Sequence, residues 1–584
     1  MKIWIFISLI AIILCQETAK TQSLELIPTG LPAFASKFNI EAFNENVFIL
    51  DDQMDRQEIQ ALIDTLYNLQ HPRSSEFGSG RYAILFKPGA YQLDLKVGYY
   101  MSYIGLGKSP NDVVINGIIL SKGEKNGNVT TNFWRSIENL TIETPAGALN
   151  IWGVSQAAPM RRVHIKGDVQ LHDNGWASGG FLADSKVDGT ILAGGQQQWF
   201  TRNTEMQKWE AGSWNIMFMG VSNTPEDKWP DNPYTVIDAT PLVREKPYLI
   251  IDNSDFALSI PKSKENSTGI SWSGGKSNDE LFSLNEFYIV KPEQDNSKTI
   301  NAALADGKNL FFCPGIYILD QSLQITRPGT IVTGIGMPTL RPANGNAILE
   351  IKDVSGISVS GLIIDAGKIE SETLVRVGEP NSTNDHKANP TFLHDIFIRV
   401  GGYGEGKTQS CMEINSNNVH IDHTWLWRAD HGNNVGWTEN TCKNGLIVNG
   451  DKVTVYGLFC EHFHEYQTLW NGNEGRMYFY QSEMPYDPPT AEAFNHGSTN
   501  GYASYKVSDD VESHEAWGLG IYCVFFKAPV IVDQAIETPQ HIEKHIHHKL
   551  TYWLYGGHKE SKIKSVINGK GGQVDVNNVK TIMK

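Results

Sequence analysis

The chain has 584 residues, of which 65 are acidic and 49 are basic, and its formal net charge is −16. This charge argues against nucleic acid or an anionic membrane as a partner, because binding to either usually needs a basic patch. The 40% of hydrophobic residues, with 54 glycines and 15 tryptophans, exclude a disordered chain, and the length requires several domains or one elongated repeat architecture.

The N-terminus resembles a secretory signal peptide. One lysine precedes an apolar run from Ile3 to Leu14, and a polar stretch follows it. The run is too short for a stable membrane span. We therefore expect a signal peptide over 1–22 and a secreted or periplasmic protein. Lipid attachment at Cys15 is the weaker alternative, since the residue before it is not small.

The remaining cysteines give no recognisable framework. Five are left after removal of the signal peptide, an odd number without a CxxC pair or metal-ligand spacing. Neither a set of disulfides nor a metal site is indicated, and no cofactor is expected.

Two stretches of the chain begin alike. A short strand from Val47 is followed by an amphipathic helix whose apolar face carries Ile59, Leu62, Ile63, Leu66 and Leu69. A Pro-Gly turn then follows within Phe86–Tyr91, and the same order recurs from Phe287 with a turn within Phe312–Tyr317, an offset of 312 − 86 = 226 residues. The agreement in order predicts an internal duplication.

Short β-rich segments recur between turns at a period near 23 residues. Leu140 to Val163 spans 23 residues, Ile396 to Val419 spans 23, and Val453 to Met477 spans 24. Such a series is typical of a parallel β-helix, in which each coil covers the apolar face of the next. An antiparallel sandwich or propeller is the alternative, but hairpin signals between the segments are scarce.

The predicted fold is therefore all-β, with two tandem right-handed parallel β-helices of the pectate-lyase type. We expect an N-terminal β-helix over 23–285 and a C-terminal β-helix over 286–584. The Pro/Asp/Asn-rich stretch at 213–247 is interpreted as an insertion, and 253–285 as the link between the helices. The His/Lys-rich segment near His541–Trp553 is interpreted as a surface helix in preference to a metal site.

Two glutamates carry the clearest chemical signal. Glu461 and Glu483 are 483 − 461 = 22 residues apart, about one coil, so their side chains are expected on neighbouring strands about 4.8 Å apart. Two carboxylates so close to each other do not both ionise easily, and the nearby Trp470 and Tyr480 would desolvate them further. One of them should therefore keep a proton near neutral pH, as a general acid does. The alternative is that both lie on a solvated edge.

Aromatic residues cluster around this pair in the sequence. Stacking of aromatic rings on sugar faces is common in polysaccharide grooves, although a β-helix also buries such rings in its core. The cluster contains Trp425, Trp427, Trp437, Trp470, Trp517, Tyr466 and Tyr486.

The same region resembles glycoside hydrolase family 55, the β-1,3-glucanases. The resemblance rests on WRADHG (Trp427 to Gly432), the CEHFHEYQ stretch around Glu461, QSEMPYDPP around Glu483, and HEAWGLGIYCVFF after it. It is strong from about 390 to 527 and looser before that. Ser482 and Met484 replace the family's commoner threonines, and no acidic residue follows Gly432.

The resemblance implies an inverting hydrolase acting on β-1,3-glucan of laminarin type, with Glu483 as the acid and Glu461 shaping the sugar site or holding the attacking water. It also implies that Gln198 and Ser222, from the first half, position the water. The residues assigned to substrate binding are Asp430, His431, His462, Tyr466, Trp470, Tyr486 and Trp437.

Two other functions compete with this interpretation. A polysaccharide lyase could share the fold, but it usually needs basic residues or Ca²⁺ beside the substrate carboxylate, and neither stands near Glu483 in the sequence. A glycan-binding β-helical adhesin would share the aromatics without needing a perturbed glutamate. We expect a monomer that acts on a polysaccharide from its chain end and binds no nucleic acid.

Overall fold

The computed structural model describes residues 31, 33–274 and 279–584. The predicted signal peptide and Cys15 lie outside the described residues. Within those residues, no helix combines the length and apolarity that a membrane span requires. The α-helices are α1 (Arg56–Gln70) and α2 (Ser297–Ala305), and short 3-10 helices cover Ala33–Phe38, Arg73–Ser75, Pro110–Asp112, Leu284–Glu286, Glu492–Phe494 and Glu543–His545.

The first half is built on one 17-stranded sheet in which the paired strands run parallel. Its strands are β1 (Val47–Leu50), β2 (Tyr82–Phe86), β3 (Gly89–Tyr91), β4 (Leu95–Lys96), β5 (Met101–Gly105), β6 (Val113–Asn116), β7 (Ile119–Ser121), β8 (Ser136–Glu143), β9 (Asn150–Trp152), β10 (Pro159–Lys166), β11 (Val169–Gln170), β12 (Phe181–Ala183), β13 (Lys186–Gly194), β14 (Gln198–Arg202), β15 (Glu205–Ala211), β16 (Asn215–Met219) and β17 (Tyr234–Ile237).

Small antiparallel sheets join the halves. Their strands are β18 (Thr240–Val243), β19 (Tyr248–Asp252), β20 (Asp255–Ile260), β21 (Lys264–Ser267) and β22 (Glu280–Ser283). Strand β18 pairs with β21, and β19, β20 and β22 form one sheet. Leu249, Leu258 and Ile260 of this sheet pack against Leu85 of the first half and Phe311 of the second. The segment predicted as a link therefore belongs to a sheet that packs against both halves.

The second half consists of a 13-stranded sheet, an 8-stranded sheet and a two-stranded sheet that share one core. Its strands are β23 (Phe287–Val290), β24 (Asn309–Phe312), β25 (Ile316–Leu319), β26 (Leu323–Ile325), β27 (Ile331–Gly334), β28 (Thr339–Pro342), β29 (Leu349–Ile351), β30 (Ser358–Asp365), β31 (Ser371–Val377), β32 (Thr391–Val400), β33 (Thr408–Ile414), β34 (Val419–Arg428), β35 (Asn444–Val448), β36 (Thr454–Glu461), β37 (Thr468–Trp470), β38 (Gly475–Glu483), β39 (Tyr505–Val507), β40 (His514–Cys523), β41 (Ile531–Val532), β42 (Ile536–Glu537), β43 (Ile546–Trp553), β44 (Lys562–Ile563) and β45 (Lys580–Met583).

This architecture confirms the predicted fold class of tandem parallel β-helices. The domain bounds at 22/23 and 285/286 stay a prediction. The internal duplication is visible in equivalent contacts: the Tyr91 hydroxyl donates to the carbonyls of Leu50 and Lys87 at 3.1 and 2.8 Å, and the Tyr317 hydroxyl donates to those of Val290 and Cys313, both at 2.8 Å.

Helix α1 follows the predicted apolar pattern. Ile59, Leu62, Ile63 and Leu66 are buried, and Leu69 is half-buried. The Asp55 side chain caps the helix by accepting from the backbone N–H groups of Gln57 and Glu58.

The uniform coil period is only partly correct. Leu140 lies opposite Val163, as predicted, but Ile396 lies opposite Thr424 and Met477 lies opposite Val455. The loops between the strands vary in length, so equal sequence spacing does not give equal positions on successive coils.

Two predicted segments prove to be strands. The supposed insertion at 213–247 contains β16 and β17, which pair in parallel and extend the first sheet. The supposed surface helix contains β43, which pairs with β40 in parallel and with β45 in antiparallel. Ile546, Leu550 and Trp553 of β43 are buried. Their spacing of four and three residues is that of one helix face, so the sequence pattern favours a helix where parallel pairing produces a strand.

The outer faces of the two halves pack together through buried aromatic residues. This inter-half cluster includes Trp134, Phe181 and Phe200 from the first half and Phe397, Trp425, Trp427, Phe459 and Phe479 from the second. Trp425 and Trp427 are therefore core residues of the interface, not exposed groove residues.

A left-handed residue interrupts five neighbouring long strands of the second half at the same level. The φ angles are 51° at Asp395, 64° at His423, 75° at Gly457, 64° at Phe479 and 67° at Gly518. The strand register places these positions side by side on β32, β34, β36, β38 and β40. Such a column bends all the strands together, and it is sterically costly at a residue as bulky as phenylalanine.

A buried ionic network crosses the interface. Arg161 of β10 donates to Asp395 at 2.8 and 2.9 Å and to Asp422 at 2.8 Å. Arg202 of β14 donates to Asp422 at 3.1 and 3.0 Å and to Glu245 at 2.7 Å through both terminal nitrogens. These arginine and aspartate side chains are at most 3% exposed.

Replacing Arg202 with glutamine should strongly destabilise the protein. The substitution leaves Asp422 and Glu245 buried with one countercharge fewer, a change that typically costs about 3–5 kcal/mol. Lys352→Gln is the control, because the Lys352–Glu379 pair is exposed and is worth less than about 1 kcal/mol. Urea unfolding followed by fluorescence measures both. Equal midpoints for the two variants would contradict a structural role of the network.

Candidate active site

Glu461 and Glu483 lie at the carboxyl ends of adjacent strands. They are direct register partners on β36 and β38, which confirms the predicted stacking. Along each strand, alternate side chains point into the β-helix core or toward the other half. Leu458 and Cys460 belong to the core, so Glu461 shares the interface side with Phe459.

Glu461 is enclosed and receives two N–H donors. The residue is 2% exposed. Gln156 Nε2 donates to its Oε1 at 2.9 Å, and Trp425 Nε1 donates to its Oε2 at 2.9 Å. Burial raises the pKa of Glu461, while His462 and the N–H donors act in the opposite direction. The donors favour the ionised form of this carboxyl group.

Glu483 is the more accessible of the two, with a side chain that is 15% exposed. Gln481 Nε2 donates to its Oε1 at 3.3 Å, and the Tyr486 hydroxyl donates to its Oε2. Burial, then the negative charges of Glu461 and Asp430, raise the pKa of Glu483 well above its usual range. Of the pair, Glu483 is therefore the one that holds a proton.

His462 joins the end of β36 to β38 through a backbone hydrogen bond. It adopts a left-handed conformation with φ of 71°, and its backbone N–H donates to the Glu483 carbonyl at 2.8 Å. Its ring lies 4.4 Å from that of Tyr486, and its Nε2 is 4.0 Å from Glu483 Oε2. The structure thus places His462 and Tyr486, which are both predicted to bind substrate, directly beside the candidate acid.

The first half contributes a group of amides and a hydroxyl. Gln156 Nε2 also donates to Ser178 Oγ at 3.2 Å, and Gln198 Nε2 donates to the same oxygen at 3.1 Å. The Oε1 atoms of Gln156, Gln198 and Gln481 are buried and accept no hydrogen bond from the residues that the structure describes. This polar cluster offers acceptors beside Glu461 that suit a bound water or sugar hydroxyl.

Gln198 is thus brought to the site, and Ser222 is not. Ser222 follows the carboxyl end of β16, where its Oγ accepts from the Met206 N–H at 3.3 Å. The start of β16, at Asn215, is the end that lies beside Gln198. At about 3.3 Å per residue, Ser222 lies roughly 20 Å further along the chain, so its assignment is corrected, and Ser178 is the serine next to Gln198.

Sequence reasoning missed Gln156, Ser178 and Gln481. Gln156 and Ser178 lie in turns before β10 and β12 and carry no motif. Only the packing of one half against the other brings them to Glu461. Gln481 could have been found, because it shares the face of β38 that carries Glu483.

Asp430 and His431 form a charged wall with the first half. His431 Nδ1 lies 2.7 Å from Asp430, and its Nε2 lies 2.6 Å from Glu76. Although burial opposes it, Asp430 and Glu76 raise the pKa of His431 to about 10. The charge of Asp430 acts on Glu483, which places this wall close to the candidate acid.

Two aromatic residues assigned to substrate binding lie elsewhere. Trp470 is fully buried in the core of the second half, where its ring lies against Gly475 and 4.5 Å from the His514 ring. Tyr466 belongs to a separate cluster with Tyr502 and donates to Glu537 at 3.4 Å. Both assignments are corrected, since proximity in sequence to Glu461 did not mean proximity in space.

Trp437 lies at the periphery of the site. It is half-buried, its ring is 4.3 Å from that of His464, and the Arg428 guanidinium lies 5.6 Å from its centroid. Arg428 in turn pairs with Asp487, the residue after Tyr486.

Other aromatic rings, not predicted, extend from the glutamates toward solvent. Tyr522 is the register partner of Glu483 on β40, and Trp214 lies 5.3 Å from Tyr522 and 4.2 Å from Tyr552. Trp176 is 52% exposed and lies 6.1 Å from Trp214. On the other side, Phe526 is 47% exposed and lies 5.7 Å from Tyr486.

The arrangement therefore combines a carboxyl group with a strongly raised pKa, a second carboxyl group that accepts from two N–H donors, uncommitted amide oxygens and exposed aromatic rings. A proton donor and a water-holding cluster on the two sides of one space are the elements of acid-assisted hydrolysis.

Comparison with known proteins gives matches over most of the chain. The family described as the LAM55 pectate lyase-like domain matches residues 287–483. A curated exo-beta-1,3-glucanase of Streptomyces sp. (strain SirexAA-E / ActE) is 44% identical over 524 residues, covering 88% of this chain and 86% of the relative.

Solved structures agree with this match. The structure of sacteLam55A from Streptomyces sp. SirexAA-E has a TM-score of 0.89 at 42% identity, covering 93% of this chain and 98% of that chain. A glutamate-to-alanine variant of sacteLam55A in complex with glucose, described by ensemble refinement, also has a TM-score of 0.89, at 41% identity and the same coverage.

Replacing Glu461 with glutamine should lower the pKa of Glu483. The substitution removes a neighbouring negative charge that disfavours ionisation of Glu483, so its carboxyl group should lose its proton at lower pH than in the wild type. Difference infrared spectroscopy of ¹³C-glutamate-labelled protein measures the protonated carboxyl band against pH, and Glu483→Gln identifies the band. An unchanged midpoint in Glu461→Gln would show that the two carboxyl groups do not interact.

Proposed function

The chain belongs to glycoside hydrolase family 55, and from this premise we propose that it is a β-1,3-glucan hydrolase that removes sugar from the chain end of laminarin-type glucan with inversion at the anomeric carbon. The observation that carries the proposal is the stacked pair of Glu461 and Glu483, of which Glu461 is enclosed and Glu483 is partly exposed with the more strongly raised pKa. Action from the chain end is supported by the 44% identical relative, which is named an exo-beta-1,3-glucanase.

Glu483 is the general acid. Its raised pKa keeps a proton available, and its partial exposure lets that proton reach the glycosidic oxygen. As the bond between the anomeric carbon and this oxygen breaks, Glu483 transfers its proton to the oxygen and becomes a carboxylate. Tyr486 and Gln481, which donate to Glu483, stabilise the carboxylate that forms.

The polar cluster of the first half holds the attacking water. Gln156, Ser178 and Gln198 are joined by hydrogen bonds, and Gln156 is also joined to Glu461. The water oxygen bonds to the anomeric carbon, and its proton passes to Glu461, whose negative charge makes it the strongest acceptor of the cluster. The cluster and Glu483 approach the sugar from different halves, which suits direct displacement and inversion.

The aromatic rings and the charged wall define the path of the glucan. Trp176, Trp214 and Phe526 offer faces on which neutral sugar rings stack. The wall of Asp430, His431 and Glu76 lies close to the acid, where the negative charge of Asp430 acts on Glu483.

Secretion fits a polysaccharide substrate, which is too large to enter a cell intact. The support for it is the apolar run from Ile3 to Leu14. We include removal of residues 1–22 and release from the cytoplasm in the proposal.

Replacing Glu483 with glutamine should reduce kcat/KM on laminarin by at least about 10²–10⁴-fold, the usual contribution of general acid assistance. An aryl β-glucoside with an activated leaving group needs little protonation, so the same variant should lose less activity on it. Steady-state kinetics on both substrates gives the comparison.

Glu515→Gln is the matched control, because Glu515 lies on the neighbouring strand β40 and its side chain is 42% exposed. It should remain within about twofold of the wild type, as surface substitutions usually do. A folded Glu483→Gln variant with wild-type activity on laminarin would remove Glu483 from the mechanism.

A further inference from the structure

We propose that His423, held by Asp395, is a positioning residue that fixes the backbone of Gln156 and thereby the geometry of the water-holding cluster. His423 touches neither glutamate, and no motif in the sequence singles it out. The inference rests on the proposed function, because it assigns Gln156 a role in holding the water.

His423 is completely buried at the interface of the two halves. Its ring is parallel to that of Phe181 at 4.6 Å with an interplanar angle of 5°, and the rings of Phe397 and Phe459 lie at 5.3 and 6.0 Å. The ring therefore has one orientation, with both nitrogens directed at fixed partners.

The two partners are both acceptors. His423 Nδ1 lies 2.8 Å from Asp395 Oδ1, and Nε2 lies 3.0 Å from the backbone carbonyl oxygen of Gln156. A carbonyl oxygen only accepts, so Nε2 carries a proton and donates it across the interface.

Asp395 is anchored independently of His423. Arg161 donates to both of its oxygens, and Lys246 Nζ lies 3.3 Å from Oδ2. Although burial opposes it, the positive charges of Arg161 and Lys246 hold the pKa of Asp395 well below its usual range. The histidine is thus tied to the ionic network that joins the halves.

Gln156 needs such support. Its φ of 29° lies in a sparsely populated region, and its carbonyl also accepts from the Ala158 N–H at 2.9 Å in a tight turn. A residue in this conformation relaxes toward a more favourable φ when the hydrogen bonds and packing that hold its backbone are weakened. Because the same residue donates from Nε2 to Glu461 and Ser178, relaxation of its backbone displaces the amide that orders the site.

A second buried histidine provides a matched comparison. His394, on the neighbouring strand β32, is also fully buried and donates from Nε2 to a backbone carbonyl of the other half, that of Arg244, at 2.8 Å. It has no hydrogen bond to Gln156. Substitution of His394 therefore removes one hydrogen bond between the halves without removing a contact to Gln156, and it measures the effect of that loss on stability.

The main variant is His423→Phe, with His394→Phe as control. Phenylalanine keeps a ring against Phe181 but removes both donors, and Phe479 shows that the left-handed column accepts this residue type. The Gln156 carbonyl keeps its bond from Ala158, so the variant should fold. His423→Gln restores an N–H near the position of Nε2 and is the rescue variant.

We expect His423→Phe to lower kcat on laminarin by about 10- to 100-fold, the effect of a small misplacement of reacting groups, with KM within about threefold. His394→Phe and His423→Gln should keep kcat within about threefold of the wild type. Loss of the amide donor to Glu461 disfavours its ionised form, so the acidic limb of the kcat/KM profile should move to higher pH in His423→Phe only.

Two further measurements separate this inference from the proposed function. The infrared midpoint of Glu461 should rise in His423→Phe whether or not laminarin is the substrate, and a wild type inactive on laminarin would refute the function but not this shift. In a Gln156→Ala background, His423→Phe should cause no further loss of kcat, because its effect passes through Gln156.

The inference is overturned if His423→Phe keeps the wild-type kcat and Glu461 midpoint, or if His394→Phe shows the same losses. Unfolding midpoints of all variants are measured first. If His423→Phe does not fold, His423→Asn replaces it, since asparagine accepts the left-handed conformation and is too short to reach Gln156, and the same outcomes apply.

Discussion

The active geometry depends on the buried ionic contact between the halves. Arg161 and Arg202 extend from the first β-helix and are neutralised by Asp395 and Asp422 of the second. Such an arrangement is tolerated only in one relative placement of the partners, since each displacement leaves a buried charge unpaired. It therefore specifies the position of Gln156, Ser178 and Gln198 relative to the glutamates. Neither half alone holds a complete site.

The second constraint is local and repeats on each coil. The left-handed column through Asp395, His423 and Phe479 bends the strands of the second half near their middle. Because the bend occurs at one level on successive strands, the residues after it stay in register, and Glu461 remains opposite Glu483. Backbone pairing thus imposes their mutual repulsion, which adds to burial in raising the pKa of Glu483.

The sequence predicted those features that depend on local pattern. The fold class followed from recurring strands, the duplication from paired Pro-Gly turns, and the stacking of Glu461 on Glu483 from a spacing near one coil. The sequence did not predict the strand register where loop length varied, as for Ile396. It also did not predict strands whose sequence contains many polar residues, as in β43. The contribution of the first half was largely invisible, because Gln156 and Ser178 reach the site only through packing between segments some 300 positions apart, as the Gln156–Glu461 bond shows. Trp470 and Tyr466 were misassigned for the complementary reason: they are near Glu461 in sequence and face another way.

The central claim is that Glu483 protonates the leaving oxygen while water, held by the first half, displaces it directly. Proton NMR of the first sugar released from laminarin, recorded before mutarotation, tests this claim most directly. The account predicts that the α-anomer appears first and then equilibrates. Initial release of the β-anomer would require a covalent intermediate, and an unsaturated sugar would indicate elimination, so either result would contradict it.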